Sequence, residues 1–222
     1  MADGMYDILL INPNTATATT EMMVGIAQSV APAGYRIRGV TAVSGVPMIV
    51  NAEQLAASAD EVVSMWETYG AEARSVIIGA FGDPGMEALQ ALTDVPVVGI
   101  CEASMREGGH KDRRFGIATV TPELVAAIDA NAEVLGLSHC YSGIRLTSGD
   151  PRALAADPGG LEAALADAVT ACIELDGAQA VIIGGGPLGQ AAIGLAPRFD
   201  VPVIAPIPAA VRRVVALLGS AQ

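Results

Sequence analysis

What most restricts the fold of this 222-residue chain is that it repeats itself once. Val76-Ile77-Ile78-Gly79 returns as Val181-Ile182-Ile183-Gly184, and Asp94-Val95-Pro96-Val97 returns as Asp200-Val201-Pro202-Val203. Upstream, Gly70-Ala71 matches Gly177-Ala178. More weakly, the run into Asn12-Pro13-Asn14 resembles the run into Thr119-Val120-Thr121. One match would mean little in so apolar a chain, but several in the same order at a nearly constant offset mean a duplication. A period of roughly 105 residues is far beyond the 20–50 of solenoid repeats, so the unit is a small domain.

Within each unit, short runs of Val and Ile alternate with longer Ala-rich segments. Tyr6–Asn12 (YDILLIN) leads into Asn-Pro-Asn-Thr, and a helical pattern starts near Thr15 with Met22, Met23 and Ile26 on one side. Residues 36–42 alternate as a strand. Ala52–Tyr69 is amphipathic, with Leu55, Val62, Val63 and Trp66 on one side, and closes at Gly70. Residues 75–80 and 95–100 are continuous apolar runs of the kind buried on both faces of a sheet. The alternation resumes with strands expected at 114–119, 143–147, 180–183 and 201–204 and helices at 122–135, 160–175 and 208–218. Strand–helix alternation implies parallel sheets covered on both faces. The expected fold is α/β, in two pseudo-symmetric halves.

Composition removes several function classes. Apolar residues make up 52% of the chain but aromatics only 4%, so Ala and Val supply the excess. No apolar run approaches the roughly 18 residues of a membrane span. The first residues lack the basic n-region of a signal peptide, and a cytoplasmic protein with no membrane partner is expected. Twelve basic against 24 acidic residues give a net charge of −12, which argues against nucleic acid as a partner because such binders carry a basic footprint. The three cysteines, Cys101, Cys140 and Cys172, form no disulfide framework and no CxxC motif. With only His110 and His139 beside them, no metal site is expected.

In open parallel sheets, ligands bind beyond the carboxyl ends of the strands. The polar and glycine-rich loops fall at those ends: residues 12–15, 80–85 (AFGDPG), 119–121 and 184–189 (GGGPLG). They form two symmetry-related pairs, so facing halves would set Asn14 against Thr121 and Ala80 against Gly185 across one cavity. Glycines there let backbone N–H groups approach a carboxylate, phosphate or enolate. The loops do not match GxxxxGK[ST], so a nucleotide P-loop is disfavoured.

Asn12-Pro13-Asn14-Thr15, Phe81-Gly82-Asp83-Pro84-Gly85, and Val95-Pro96-Val97-Val98-Gly99-Ile100 followed by Glu102-Ala103-Ser104-Met105 resemble the aspartate/glutamate/hydantoin racemase superfamily, in particular its hydantoin and allantoin racemases. The resemblance continues through Asp176-Gly177-Ala178 and Val201-Pro202-Val203-Ile204. It implies two flavodoxin-like halves, residues 1–98 with 206–222 and residues 99–205. It further implies cofactor-free chemistry in the cleft between them, a small carboxylate or hydantoin-like substrate, and a homo-oligomer. The family's racemases set one thiol from each half on opposite faces of a planar enolate. The matching positions here hold Ala80, where the family often reads Cys-Phe-Gly-Asp-Pro-Gly, and Gly185, where it often reads Gly-Cys-Ala-Gly-Met. Neither residue can transfer a proton, and a general acid or base is typically worth about 10²–10⁴-fold.

The expected function is thus a racemase or isomerase that moves a proton at a carbon next to a carbonyl using groups other than cysteine. Asp83 and Glu102 are the expected catalytic carboxylates, with Cys101 and His110 as further candidates. Each has a plainer role beside it: Asp83 as cap of the next helix, Cys101 in the core, His110 in solvent. Asn14, Thr15, Ala80, Phe81, Thr119, Thr121, Gly185, Gly186 and Pro187 are expected to bind substrate. Two alternatives stay open: a cofactor-free decarboxylase of the arylmalonate type, which needs one proton donor, and a catalytically inactive ligand-binding homologue. Ala205-Pro206 stands where the family commonly has an acidic residue.

Overall fold

The computed structural model describes residues 5–220, so part of the stretch read for a leader lies outside the described residues. The chain builds two four-stranded sheets in which every pairing is parallel. β1 (Tyr6–Asn12), β2 (Tyr35–Thr41), β3 (Ser75–Ile78) and β4 (Val97–Gly99) lie in the order β2-β1-β3-β4. β5 (Phe115–Thr119), β6 (Tyr141–Leu146), β7 (Ala180–Ile183) and β8 (Val203–Ile204) lie in the order β6-β5-β7-β8. Shifting the numbering by four strands superposes the two orders, so the repeat in sequence is a repeat in topology. β3, β5 and β7 are buried at every position and β1 at all but its first. This is why these runs are continuously apolar rather than alternating.

The helices are α1 (Thr17–Val30), α2 (Ala52–Tyr69), α3 (Met86–Leu92), α4 (Ile100–Gly108), α5 (Val125–Val134), α6 (Pro151–Ala155), α7 (Pro158–Glu174), α8 (Gly189–Leu195) and α9 (Pro206–Ser220). The last helix of each unit crosses to the other: α4 packs on β5, β7 and β8, α9 packs on β3 and β4, and the two pack on each other. One apolar core therefore runs through both halves, taking Ile8, Leu10 and Ile77 from the first sheet, Phe115, Ile117 and Ile182 from the second, and Met105 and Val211 from the crossing helices. Each half adds a smaller outer core, around Val62 and Leu89 in the first and Leu165 and Val169 in the second. A shared, close-packed core fixes how the halves sit, because interiors of this density deform little.

Residues 95–100 read as a single strand, yet β4 stops at Gly99 and Ile100 opens α4. The cause is a cap from 18 residues upstream: Asp83 Oδ1 accepts from the Cys101 amide at 2.9 Å, and Oδ2 from the Glu102 amide at 2.7 Å. These bonds satisfy donors that the start of a helix leaves open. Gly99 permits the approach, since a Cβ there would fall inside the Asp83 carboxylate. The expected helix at 122–135 begins with a 3-10 turn at Pro122–Leu124 before α5. At seven, five and seven residues, α3, α6 and α8 are too short to show a helical period.

Candidate active site

The two glycine loops meet. A Cβ on Gly186 would lie 2.5 Å from the carbonyl oxygen of Gly79, and one on Gly184 would lie 3.2 Å from Phe81 Cε1. Backbone from the second half thus rests directly on backbone from the first. Met23 of α1 lies under both loops, within 2.9 Å (Cε) of a Cβ on Gly79 and 3.1 Å (Sδ) of one on Gly186. Beside this contact is a cavity of about 50 Å³. One water needs about 10–15 Å³ by the same measure, so the space suits a compact ligand.

The cavity brings together Asn14, Ala80, Phe81, Thr121, Gly185, Gly186 and Pro187. Thr15 and Thr119 are not part of that lining. The Thr15 amide donates to Val46 O at 3.0 Å, and the fully buried Thr119 hydroxyl donates to Gly184 O at 2.6 Å, holding the second glycine loop. The rest of the wall is apolar and was not foreseen as site: Met48, Ile49, Leu55, Val120, Leu124, Ile128 and Leu188. Its one legible signal is the apolar run Pro47-Met48-Ile49-Val50 inside a loop. Among the described residues that line the cavity, no side chain is ionisable.

Beside the Asn14 and Thr121 side chains, the polar groups of the cleft belong to its backbone. Ala80, Phe81, Val120, Thr121 and Gly186 are buried lining residues whose amides bond to no group among the described residues. Nearly all buried N–H groups in folded proteins are paired, and an orphan costs about as much as a lost hydrogen bond. Five such amides belong to residues around one apolar cavity, drawn from both halves.

Asp83 and Glu102 do not line this cavity. They face a separate groove with Arg106, Asn131 and Arg213. Both Asp83 oxygens are used on the start of α4, and burial outweighs those two amide bonds to push its pKa up to about 7. The cap it supplies is to α4, not to α3, the helix next in sequence. Glu102 is 5% exposed and pairs through Oε1 with Arg106 and, at 3.7 Å, with Arg213 of α9. Of the two carboxylates read as catalytic, Asp83 thus caps the start of α4 and Glu102 links α4 to α9 through Arg213. Cys101 is fully buried in the shared core, and burial pushes its thiol well above the usual range. His110 is exposed. Among the described residues there is no cluster of His, Cys, Asp and Glu able to hold a metal ion, and no helix is long and apolar enough to cross a membrane.

The model of the Asp/Glu/Hydantoin racemase family matches residues 8–214. A hydantoin racemase from Rhizobium meliloti is 30% identical over 221 residues, spanning 96% of this chain and 89% of the relative. A hydantoin racemase from Paenarthrobacter aurescens is 28% identical over 207 residues, spanning 92% and 88%. Among solved structures, an allantoin racemase from Klebsiella pneumoniae superposes with a TM-score of 0.91 at 28% identity, covering 98% of this chain and 89% of that one.

Proposed function

This chain belongs to the Asp/Glu/hydantoin racemase family, and on that premise we propose that it is a cofactor-independent racemase-type isomerase. Its substrate is a small hydantoin-like or amino-acid-derived compound, and the proton moved is the one on the carbon next to a carbonyl. The observation that supports this reading is the set of five unpartnered amides around an apolar cavity. Removing that proton turns the carbonyl oxygen into an enolate oxygen. Fixed donors in a largely apolar site stabilise the enolate more than the carbonyl it came from, which is the condition for lowering the barrier. The donors come from both halves, so a planar enolate lies flat between them with one face toward residue 80 and the other toward residue 185.

The same lining selects among substrates. A free amino acid would bury its ammonium without a counter-charge, which is costly. A cyclic ureide or an N-acylated amino acid, whose oxygens match the donors, would not. Because the cleft offers no ionisable side chain, water entering at its Pro187 edge takes the proton from one face and returns one to either face. Asp83 and Glu102 act on the frame and not on the substrate.

The test is incubation of a chiral 5-substituted hydantoin in deuterium oxide, following loss of the C5 proton by NMR and loss of optical rotation together. Both should run faster than in buffer and slow toward the buffer rate when Asn14 is replaced by alanine. Rates equal to buffer would sink the reading. A second reading, a ligand-binding homologue without turnover, is favoured by one observation, the lack of any ionisable group in the lining. Saturable hydantoin binding with no exchange would establish it, and carbon dioxide release from an α-disubstituted malonate would place the chain with the decarboxylases.

A further inference from the structure

The hydrogen bonds at the end of β1 fix the polarity of one cleft side chain, and we infer that Asn12 is a positioning residue that turns the Asn14 amide so that its NH₂ faces the ligand. Nitrogen and oxygen of a side-chain amide are assigned from their partners, and here the partners are backbone groups of fixed polarity. Asn14 Oδ1 lies 2.9 Å from the Ala16 amide, which can only donate. Asn12 Nδ2 lies 3.2 Å from the Ala16 carbonyl, which can only accept, and Asn12 Oδ1 accepts from the Asn14 amide at 3.3 Å. Asn12 Nδ2 then donates to Asn14 Oδ1 at 3.0 Å and to Thr20 Oγ1 at 2.9 Å, and Thr20 Oγ1 stands 2.6 Å from Thr41 Oγ1.

The consequence falls on the cleft. Asn14 Oδ1 holds two donors, so Nδ2, which bonds to no group among the described residues, is what Asn14 offers to the cavity it lines. With the amide reversed, an oxygen would face the enolate oxygen and repel it, and the nitrogen would face the Ala16 N–H. Asn12 is fully buried and lies outside the lining, so it acts only through Asn14. Thr20 on α1 and Thr41 at the end of β2 keep Asn12 in place. The inference rests on the proposed function in one respect: the ligand must present an oxygen acceptor at Asn14.

Unlabelled parent hydantoin serves as the probe, with Kd measured for Asn12→Leu, Asn12→Asp, Asn14→Ala and the two double variants at a pH near 8. A neutral hydrogen bond of ordinary strength corresponds to roughly a three- to tenfold change in Kd. Asn12→Leu should weaken binding by about that factor, and Asn12→Asp, which sets an acceptor against Asn14 Oδ1, by more. Neither should weaken it further once Asn14 is alanine, although Tm falls in both backgrounds. Equal losses with and without the Asn14 side chain, or no loss in either, would overturn the inference. A ligand-free measurement keeps this separate from the functional reading. In ¹⁵N-labelled protein the Asn14 side-chain protons should exchange rapidly with water, and in Asn12→Asp they should slow and shift downfield. Slow, bonded Asn14 protons in the unsubstituted protein would overturn it whether or not hydantoin binds.

Discussion

Replacing Gly186 by alanine should push the two halves apart at the cleft. The added methyl would lie 2.5 Å from the Gly79 carbonyl oxygen, where ordinary contact begins at 3.4 Å, so the loops must part by 0.9 Å, the difference of the two. No side-chain rotation relieves this, because the obstacle is backbone, and the Gly79 amide is itself tied to Ile11 O at 2.8 Å. Overpacking of this kind costs about 1–3 kcal/mol. For a chain of this length that lowers Tm by roughly 2–4 °C per kcal/mol. The functional loss should be larger than the thermal one, since a shift of about 1 Å in a preorganised site can cost about 10²-fold. Calorimetry would give Tm, and hydantoin Kd and C5 exchange would report the cleft. Gly25→Ala on α1, where a Cβ meets nothing within 4 Å, is the control and should be neutral or slightly stabilising. A Gly186→Ala protein matching that control in Tm, binding and exchange would refute the claim that the two glycine loops form one site.

Thr119→Val keeps shape but removes the donor to Gly184 O, so it should cost about 1–3 kcal/mol by urea unfolding and weaken hydantoin binding by loosening the second glycine loop. Unchanged stability would contradict the bond. The pH dependence of stability follows from Asp83, whose pKa rises from 3.8 to about 7 on folding. Between these values the folded protein holds a proton that the unfolded chain has lost, so stability should fall as pH rises through that window, by an amount on the order of 4 kcal/mol. Asp83→Asn should flatten this slope in unfolding measured at pH 5 and pH 8, and equal slopes would contradict the assignment.

The duplication was legible because its carriers, Val76 to Gly79 and Val181 to Gly184, are central strands whose burial on both faces demands the same residue types in each copy. The glycine loops were legible for the same reason, since a backbone contact such as Gly79 to Gly186 leaves no room for a side chain. The placement of Asp83 and Glu102 outside the cavity lining was not legible, because a carboxylate near a loop motif reads alike whether it faces a ligand or a helix start. Only the position of the Cys101 and Glu102 amides decides between them, and that is a tertiary fact. The apolar wall escaped notice because Leu55, Leu124 and Ile128 follow the periodicity of core residues, and a cavity lined by core-like residues has no pattern of its own. The unpartnered amides are invisible in any sequence.

In the proposed reading, a planar substrate lies between residue 80 of one half and residue 185 of the other. The resemblance sets the family's two thiols at these positions, and the backbone can carry them: Gly185 is extended at φ 167°, and the nearest atoms to a Cβ there are those of the Leu188 side chain, at 2.9 and 3.0 Å, which must turn aside to admit it. The decisive measurement is the rate of racemisation of a chiral 5-substituted hydantoin by the Ala80→Cys/Gly185→Cys double variant. A gain of at least about 10²-fold over the unsubstituted protein is expected, with each single variant gaining far less. A folded double variant with both thiols accessible to a thiol reagent, racemising no faster than the protein it came from, would contradict it.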